Sequence, residues 1–322
     1  MSDARSGASA IVFAYHDVGV RCLRVLLDAG VRVPLVVTHR DDPGENVWFS
    51  SVAAVAAEHR LPCVTSDDPN TPEFLEFARE RAGGLDFLFS FYYRRMLGAP
   101  WLSVPRHGAF NMHGSLLPKY RGRAPVNWAV IHGERETGAT LHAMNEKPDN
   151  GAIVDQCAVP ILGDDTAGEV FDKVVVAAEI VLARSLPRLI DGSARLTPQD
   201  LSKGRYFGGR KPEDGRIPHD ANARRIHDLV RALAPPYPGA FMLLRRQRVF
   251  IERTQPAAAP AGAAGTEGQG LRLASEAGDL WLLAADGGAL RVLAARGDGD
   301  AAPLDAAAFE RRFGARWQSA DA

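Results

Sequence analysis

The chain has 322 residues, 46% hydrophobic and 24% charged, with a formal net charge of −1 at pH 7. That length exceeds the usual single-domain size and predicts two domains, and the near-zero charge excludes a global attraction to nucleic acid or to an anionic membrane. Cys22, Cys63 and Cys157 are odd in number and far apart, and none makes a metal-ligand pair; Cys22 and Cys63 fall in predicted core elements and read as buried free thiols. From the N-terminus, Met1 to Ser9 is short and polar with no secretory pattern, so the cytoplasm is the expected compartment. Ala10 to Tyr15 predicts a buried strand and Val18 to Ala29 a helix stopped by Gly30. A strand over Val31 to Thr38, a helix over Trp48 to Glu58 and a short strand at Cys63-Val64 follow. Thr71 to Arg81 is a helix with Pro72 in its first turn, and Asp86 to Ser90 and Gly108 to Met112 are two more strands. Such βα units predict a mostly parallel, Rossmann-like sheet covered by helices on both faces.

Pro125 opens a helix to Gly133, Thr137 to Met144 and Ala152 to Val159 read as strands, and Thr166 to Ile190 is a long helix. Asp172, Lys173, Glu179 and Arg184 make that helix amphipathic, not a membrane span. Clustered Gly, Pro and charge between Asp191 and Gly215 place a boundary, giving domains of 1–200 and 201–322. The second domain opens with a helix from Ala221 to Ala234 and the turn Pro235 to Gly239. Short strands then run over Ala240 to Leu244, Val249 to Glu252, Leu271 to Ala274, Asp279 to Ala284 and Ala289 to Ala294, which predicts a small β-barrel. Pro256 to Gly270 is Ala/Gly-rich and reads as a mobile loop.

The densest chemistry lies in the run from Phe110 to Pro125. Asn111 and His113 are two apart at a strand end, so both project from one face. They offer a hydrogen-bond donor for a developing oxyanion and a proton shuttle near neutral pH. Asp149, in a turn between two strands, is the candidate carboxylate to orient the imidazole and favour its charged form. His16 and His142 have no partners at metal-ligand spacing and read as packed or surface histidines. No metal is expected. No G-x-G-x-x-G follows the first strand, which argues against a dinucleotide cofactor.

Asn111-x-His113-x-Ser115-Leu116-Leu117-Pro118-x-Tyr120-Arg121-Gly122 resembles the signature of formyltransferases that use N10-formyltetrahydrofolate, and Asp149 matches that family's catalytic aspartate. Phe13 to Asp17, Ser90 to Arg94, Phe207 to Pro212 and Tyr237 to Phe241 extend the likeness over nearly the whole chain. They bring it nearest the formyltransferase half of the bifunctional enzymes acting on UDP-4-amino-4-deoxy-L-arabinose. The resemblance implies a Rossmann-like first domain and an OB-like second domain. It also implies formylation of a UDP-amino sugar in lipid A modification and resistance to cationic peptides such as polymyxin. Asn111, His113 and Asp149 would be catalytic. Arg95, Met96, Leu97, Arg123, Asn145, Glu146, Lys147, Pro148 and Asp149 would hold the folate, largely through backbone groups.

Tyr206, Phe207, Arg210 and Lys211 place aromatics and cations where a nucleotide-sugar could stack and pair. The main rival acceptor within the family is methionyl-tRNA, which demands clustered Lys and Arg. Thr38 to Asn46 instead carries Asp41, Asp42 and Glu45 against Arg40, a repulsive loop that argues for a small nucleotide-sugar and against nucleic acid. A hydrolytic deformylase and a non-catalytic folate-binding module are the further alternatives. The bifunctional relatives continue into a decarboxylating dehydrogenase, whereas this chain ends at Ala322, so formylation alone is expected.

Overall fold

The computed structural model describes residues 7–261, 270–300 and 302–318. Its contacts group into two compact units. One holds the described residues up to Pro125 together with Glu136–Pro160 and Phe171–Gly208; the other holds Val126–Arg135, Ile161–Val170 and the chain from Gly209 onward.

In chain order the first elements are β1 (Ser9–Ala14), α1 (His16–Asp28), β2 (Arg32–Thr38), α2 (Val52–Glu58), β3 (Cys63–Thr65), α3 (Pro72–Ala82), β4 (Phe87–Phe91) and α4 (Ala99–Leu102). There follow β5 (Ala109–His113), β6 (Arg121–Gly122), α5 (Pro125–Ile131), β7 (Glu136–Ala143), β8 (Ile153–Pro160), α6 (Ala167–Ile190) and β9 (Tyr206–Phe207). A seven-stranded sheet runs in the order β3-β2-β1-β4-β5-β7-β8. The pairs from β3 to β5 are parallel, and β7 and β8 run antiparallel. β1 and β4 are buried along their whole length because helices cover both faces, which is why they read as unbroken apolar runs.

The mostly parallel sheet matches the expectation, with corrections at the element ends. The second helix begins at Val52, not Trp48, because the Ser51 side chain accepts from the N–H of Ala54 at 3.2 Å and fixes the N-cap there. Trp48 and Phe49 lie ahead of that cap and turn their rings onto His16. Cys22 is buried, whereas Cys63 is half-buried because its three-residue strand lies at the sheet edge.

In the second unit, α7 (Ala223–Leu233) precedes β10 (Ala240–Leu244), β11 (Gln247–Ala257), β12 (Arg272–Glu276), β13 (Asp279–Leu283), β14 (Ala289–Gly297), α8 (Ala306–Phe313) and β15 (Arg316–Gln318). The six strands form one antiparallel sheet, β10-β11-β14-β13-β12-β15, curled as a half-barrel around a core that includes Ile226, Val230, Leu273, Leu282 and Phe309. β11 extends to Ala257, so Pro256 is strand and not loop. The pairing of β10 with β11 ends at Ile251, and beyond it the missing N–H of Pro256 costs no ladder bond on that side. Of the expected loop, Ala258 to Ala261 follow the strand, and 262–269 lie outside the described residues. α8 and β15 have no counterpart in the sequence reading; Asp305 caps α8 by accepting from the N–H of Ala308 at 2.7 Å.

Candidate active site

Pairing of β5 with β7 sets Asn111 opposite His142 and His113 opposite Thr140, and β8 sets Gln156 opposite Thr140. Directly paired residues share a face, so this register gathers polar side chains on one face of the sheet. The Thr140 hydroxyl donates to the Ser115 carbonyl at 2.6 Å and accepts from Leu117 N–H at 3.1 Å. Gln156 Nε2 donates to the Leu117 carbonyl and to Thr140 Oγ1, each at 2.9 Å, and Ser115 Oγ donates to the Lys119 carbonyl at 2.6 Å. These bonds fold the loop after β5 back over the strand face.

Asp149 closes the constellation. Its Oδ2 accepts from the backbone N–H of Gly122 at 2.8 Å, and its Oδ1 lies 3.5 Å from Nδ1 of His113 and 3.5 Å from Nε2 of His142. His113 and His142 are only 6% and 2% exposed. Burial pushes the Asp149 carboxyl up, but the two imidazoles and the Gly122 N–H outweigh it and hold the group well below the usual carboxylate range. The group is therefore an anion at neutral pH.

His113 Nε2 donates to the Tyr120 carbonyl at 2.8 Å, leaving Nδ1 toward Asp149. His142 Nδ1 donates to the Ala143 carbonyl at 2.9 Å, and its Nε2 lies 3.1 Å from Asn111 Nδ2. That Nε2 serves one neighbour at a time. A neutral ring accepts from the Asn111 amide, while a charged ring donates to Asp149. In the neutral arrangement one Asn111 N–H is used and the second is free to meet an oxyanion. Sequence reading missed His142 by placing it among packed or surface histidines. The signal available was its position on the predicted strand that runs into the Asp149 turn.

The other residues singled out in the sequence divide between the two units. Arg95 and Met96 are exposed in the loop after β4, and Leu97 is buried in the core with Phe13 and Trp101. Asn70, not foreseen, fixes that loop: its Nδ2 donates to the Met96 carbonyl at 2.9 Å and its Oδ1 accepts from Gly98 N–H at 2.8 Å. Asn145 accepts from Lys147 N–H at 2.9 Å and so shapes the turn through Glu146, Lys147 and Pro148 to Asp149, which sits at φ 54. β6 pairs with β9, bringing Tyr206 and Phe207 beside Arg121 and Gly122, and Arg123 N–H donates to the Phe207 carbonyl at 2.9 Å. Gly122 sits at φ 99, and a Cβ there would overlap the Phe207 carbonyl oxygen, so only glycine permits this pairing. Tyr206 is 56% exposed, whereas the Phe207 ring packs 5.2 Å from that of Tyr120. Arg210 and Lys211 belong to the second unit. There Arg210 lies 4.7 Å over the Trp128 ring and donates to the Asp214 carbonyl at 2.7 Å, and Lys211 N–H donates to Asp214 Oδ2 at 2.7 Å.

The acidic loop after β2 is less repulsive than its composition suggested. Arg94 grips Glu45 through two contacts of 2.6 Å, and Tyr15 donates to Asp41 Oδ1 at 2.8 Å. Arg94 also lies 4.7 Å over the Tyr15 ring, and its N–H donates to His39 Nε2 at 2.9 Å. His16 stacks on Phe49 at 3.9 Å, with Trp48 and Phe171 edge-on. Burial, reinforced by Arg94, lowers His16 and His39 each to about 4. These rings fill the carboxyl ends of β1 and β4, where open α/β sheets commonly bind ligands, so the polar constellation lies one strand over.

A cleft of about 510 Å³ among Asp17, Arg21, Arg24, Ser50, Glu58 and Asp172 contains none of the constellation residues. Among the described residues no group of three or more His, Cys, Asp and Glu could hold a metal ion, and no helix is long and apolar enough to cross a membrane.

Comparison with solved structures gives similar folds at low identity. An N-formyltransferase from Helicobacter canadensis, in complex with folinic acid and dTDP-3-aminofucose, is 21% identical with a TM-score of 0.66 over 88% of this chain and 98% of its own. WlaRD, a sugar 3N-formyltransferase in the presence of dTDP and 5-N-formyl-THF, is 18% identical with a TM-score of 0.66 over 91% of this chain and 98% of its own. HypX from Aquifex aeolicus, in complex with tetrahydrofolic acid, is 16% identical with a TM-score of 0.60 over 89% of this chain and 44% of its own. Residues 26–186, half of the chain, match the formyl transferase family, and residues 210–313 match the formyl transferase C-terminal domain. The chain belongs to the formyl transferase family.

Proposed function

We propose that this protein transfers a formyl group from N10-formyltetrahydrofolate to the amine of a nucleotide-linked amino sugar, with UDP-4-amino-4-deoxy-L-arabinose as the first acceptor to test. The observation that carries the reading is the placement of Asn111, His113 and an anionic Asp149 on one face of the β5–β7 pair. A neutral amine attacking the formyl carbon forms an intermediate with a negative oxygen and a positive nitrogen. The free N–H of Asn111 donates to that oxygen. With its proton on Nδ1, facing Asp149, His113 leaves the Tyr120 carbonyl, and its unprotonated Nε2 takes the amine proton and delivers one to the departing folate nitrogen. Asp149 balances the imidazolium charge. The folate would lie against the Arg95 to Leu97 loop, Arg123 and the Asn145 to Asp149 turn. Tyr206 and Phe207 would contact the acceptor.

Support for a sugar acceptor comes from the similar N-formyltransferases, whose structures contain dTDP-3-aminofucose or dTDP with reduced folates. With Glu45 neutralised by Arg94, the case against tRNA rests on net charge and must be tested directly. The experiment supplies N10-formyltetrahydrofolate with UDP-4-amino-4-deoxy-L-arabinose, dTDP-3-aminofucose and methionyl-tRNA in parallel. Product carrying formyl on the UDP-sugar is expected. Formylation of dTDP-3-aminofucose alone would change the sugar, and formylation of the tRNA alone would overturn the acceptor class.

A further inference from the structure

A side chain outside the family motif is hydrogen-bonded to the Asp149 turn. Gln199 lies in the segment after α6, and its Nε2 donates to the Asp149 carbonyl at 2.9 Å and to the Gly151 carbonyl at 2.6 Å. Both amide hydrogens are thereby used on the two sides of one turn. Gln199 Oε1 is buried with no hydrogen-bond partner. An acceptor left in that condition is costly, yet the amide has only this orientation, because turning it over would set Oε1 against two carbonyl oxygens. Asp149 itself sits at φ 54, a left-handed conformation that a non-glycine residue holds only when its surroundings impose it.

The rest of the segment is tied to the same site. Thr197 exchanges two backbone hydrogen bonds of 2.8 Å with Ile153 on β8. The backbone of Gly204 packs so closely on the Pro118–Lys119 peptide that an added Cβ would overlap Pro118 O and lie 2.8 Å from Lys119 N. The Gly204 carbonyl accepts from Arg121 Nη2 at 3.1 Å, and β9 pairs with β6, whose Gly122 N–H holds the Asp149 carboxylate. The segment is a strap that bonds the Asp149 backbone directly and pairs with the strand whose Gly122 N–H holds the Asp149 carboxylate.

We propose that Gln199 is a positioning residue: it holds the Asp149 turn in its left-handed form and so aims the carboxylate at His113 and His142. For catalysis this rests on the formyl-transfer reading above, but the positioning itself has its own readout. The test uses the full chain with ¹⁵N-labelled histidine. Gln199→Met keeps the length and removes both donors, and Gln199→Glu keeps the shape and sets an oxygen against the two carbonyls. Each is expected to move the His113 and His142 ring nitrogen signals in the direction that Asp149→Asn moves them, with an unchanged far-ultraviolet circular dichroism spectrum. Ring signals identical to wild type in both variants would overturn the proposal.

In formyl transfer to UDP-4-amino-4-deoxy-L-arabinose, Gln199→Met should lower kcat about 10–100-fold at constant KM for the folate. The double variant with Asp149→Asn should be no slower than Asp149→Asn alone. If Asp149→Asn turns over like wild type while Gln199→Met shifts the rings, the positioning stands and the functional reading fails. If Asp149→Asn abolishes transfer and Gln199→Met changes neither rate nor rings, the positioning alone fails.

Discussion

Acidification should destabilise this protein well above the pH at which its carboxylates protonate, and His16 is the group through which the effect is largest. The ring is 8% exposed, packed among Phe49, Trp48 and Phe171, and lowered from 6.5 to about 4 by burial, with Arg94 reinforcing the shift and Asp17 opposing it. Between those two values the unfolded chain binds a proton that the folded chain refuses. Stability is therefore intact above about pH 7 and falls with pH through the window from 6.5 toward 4. Linkage over that shift gives a loss of about 2 kcal/mol at pH 5 relative to pH 7.5. His39, also lowered to about 4, acts in the same direction, more weakly because its ring is only half-buried. Asp149 acts in the same direction in a separate, lower window: its folded value is depressed, so its stabilisation persists until the pH falls below the ordinary carboxylate value of 3.8. Urea unfolding followed by circular dichroism at pH 7.5, 6 and 5 measures the effect, with His16→Gln as the control that removes the titrating ring. A wild-type midpoint that does not move between pH 7.5 and 5, or an equal slope in His16→Gln, would refute the reasoning.

Asn111→Ala removes the proposed oxyanion donor and should lower kcat about 10²–10³-fold with little change in folate KM; steady-state kinetics with N10-formyltetrahydrofolate reads this, and an unchanged kcat removes Asn111 from the mechanism. Gly122→Ala drives a methyl into the Phe207 carbonyl and to within 2.9 Å of the Tyr206 ring from a backbone at φ 99. It should cost about 2 kcal/mol or more and lower the melting temperature in calorimetry, which wild-type melting would contradict. In the second unit, Arg231 and Asp228 form an ion pair of 2.7 Å with side chains only 4% and 5% exposed. Asp228→Ala strands the guanidinium and should cost about 3–5 kcal/mol. A chemical-denaturation loss below 1 kcal/mol would show that the Leu162 and Asp165 carbonyls, which also accept from Arg231, suffice to hold it.

The parallel half of the first sheet was readable because both faces are covered and each strand is a continuous apolar run. Helix ends were not, since capping is a choice among neighbouring side chains: Ser51 captured the start of α2 three residues past Trp48. Pro256 was misread for a similar reason. A proline is tolerated in β11 only because its neighbour β10 has already ended, and no local window reveals where another strand stops. Gln199 was invisible as a site residue because its partner Asp149 lies about 50 positions away, and the tie between His142 and Asn111 appears only in the β5–β7 register.

The sequence by itself determined the βα alternation, the pairing of Asn111 with His113 on one strand face and the family to which the motif points. Those features depend on local spacing, which a linear reading preserves. Tertiary structure decided that His142 stands between Asn111 and Asp149. It also decided that the acidic loop is clamped by Arg94 and Tyr15, and that a strap from Thr197 to Phe207 holds the Asp149 turn. Each of these follows from strand register or long-range hydrogen bonding. A shift of one residue in either would turn the same side chains to another face.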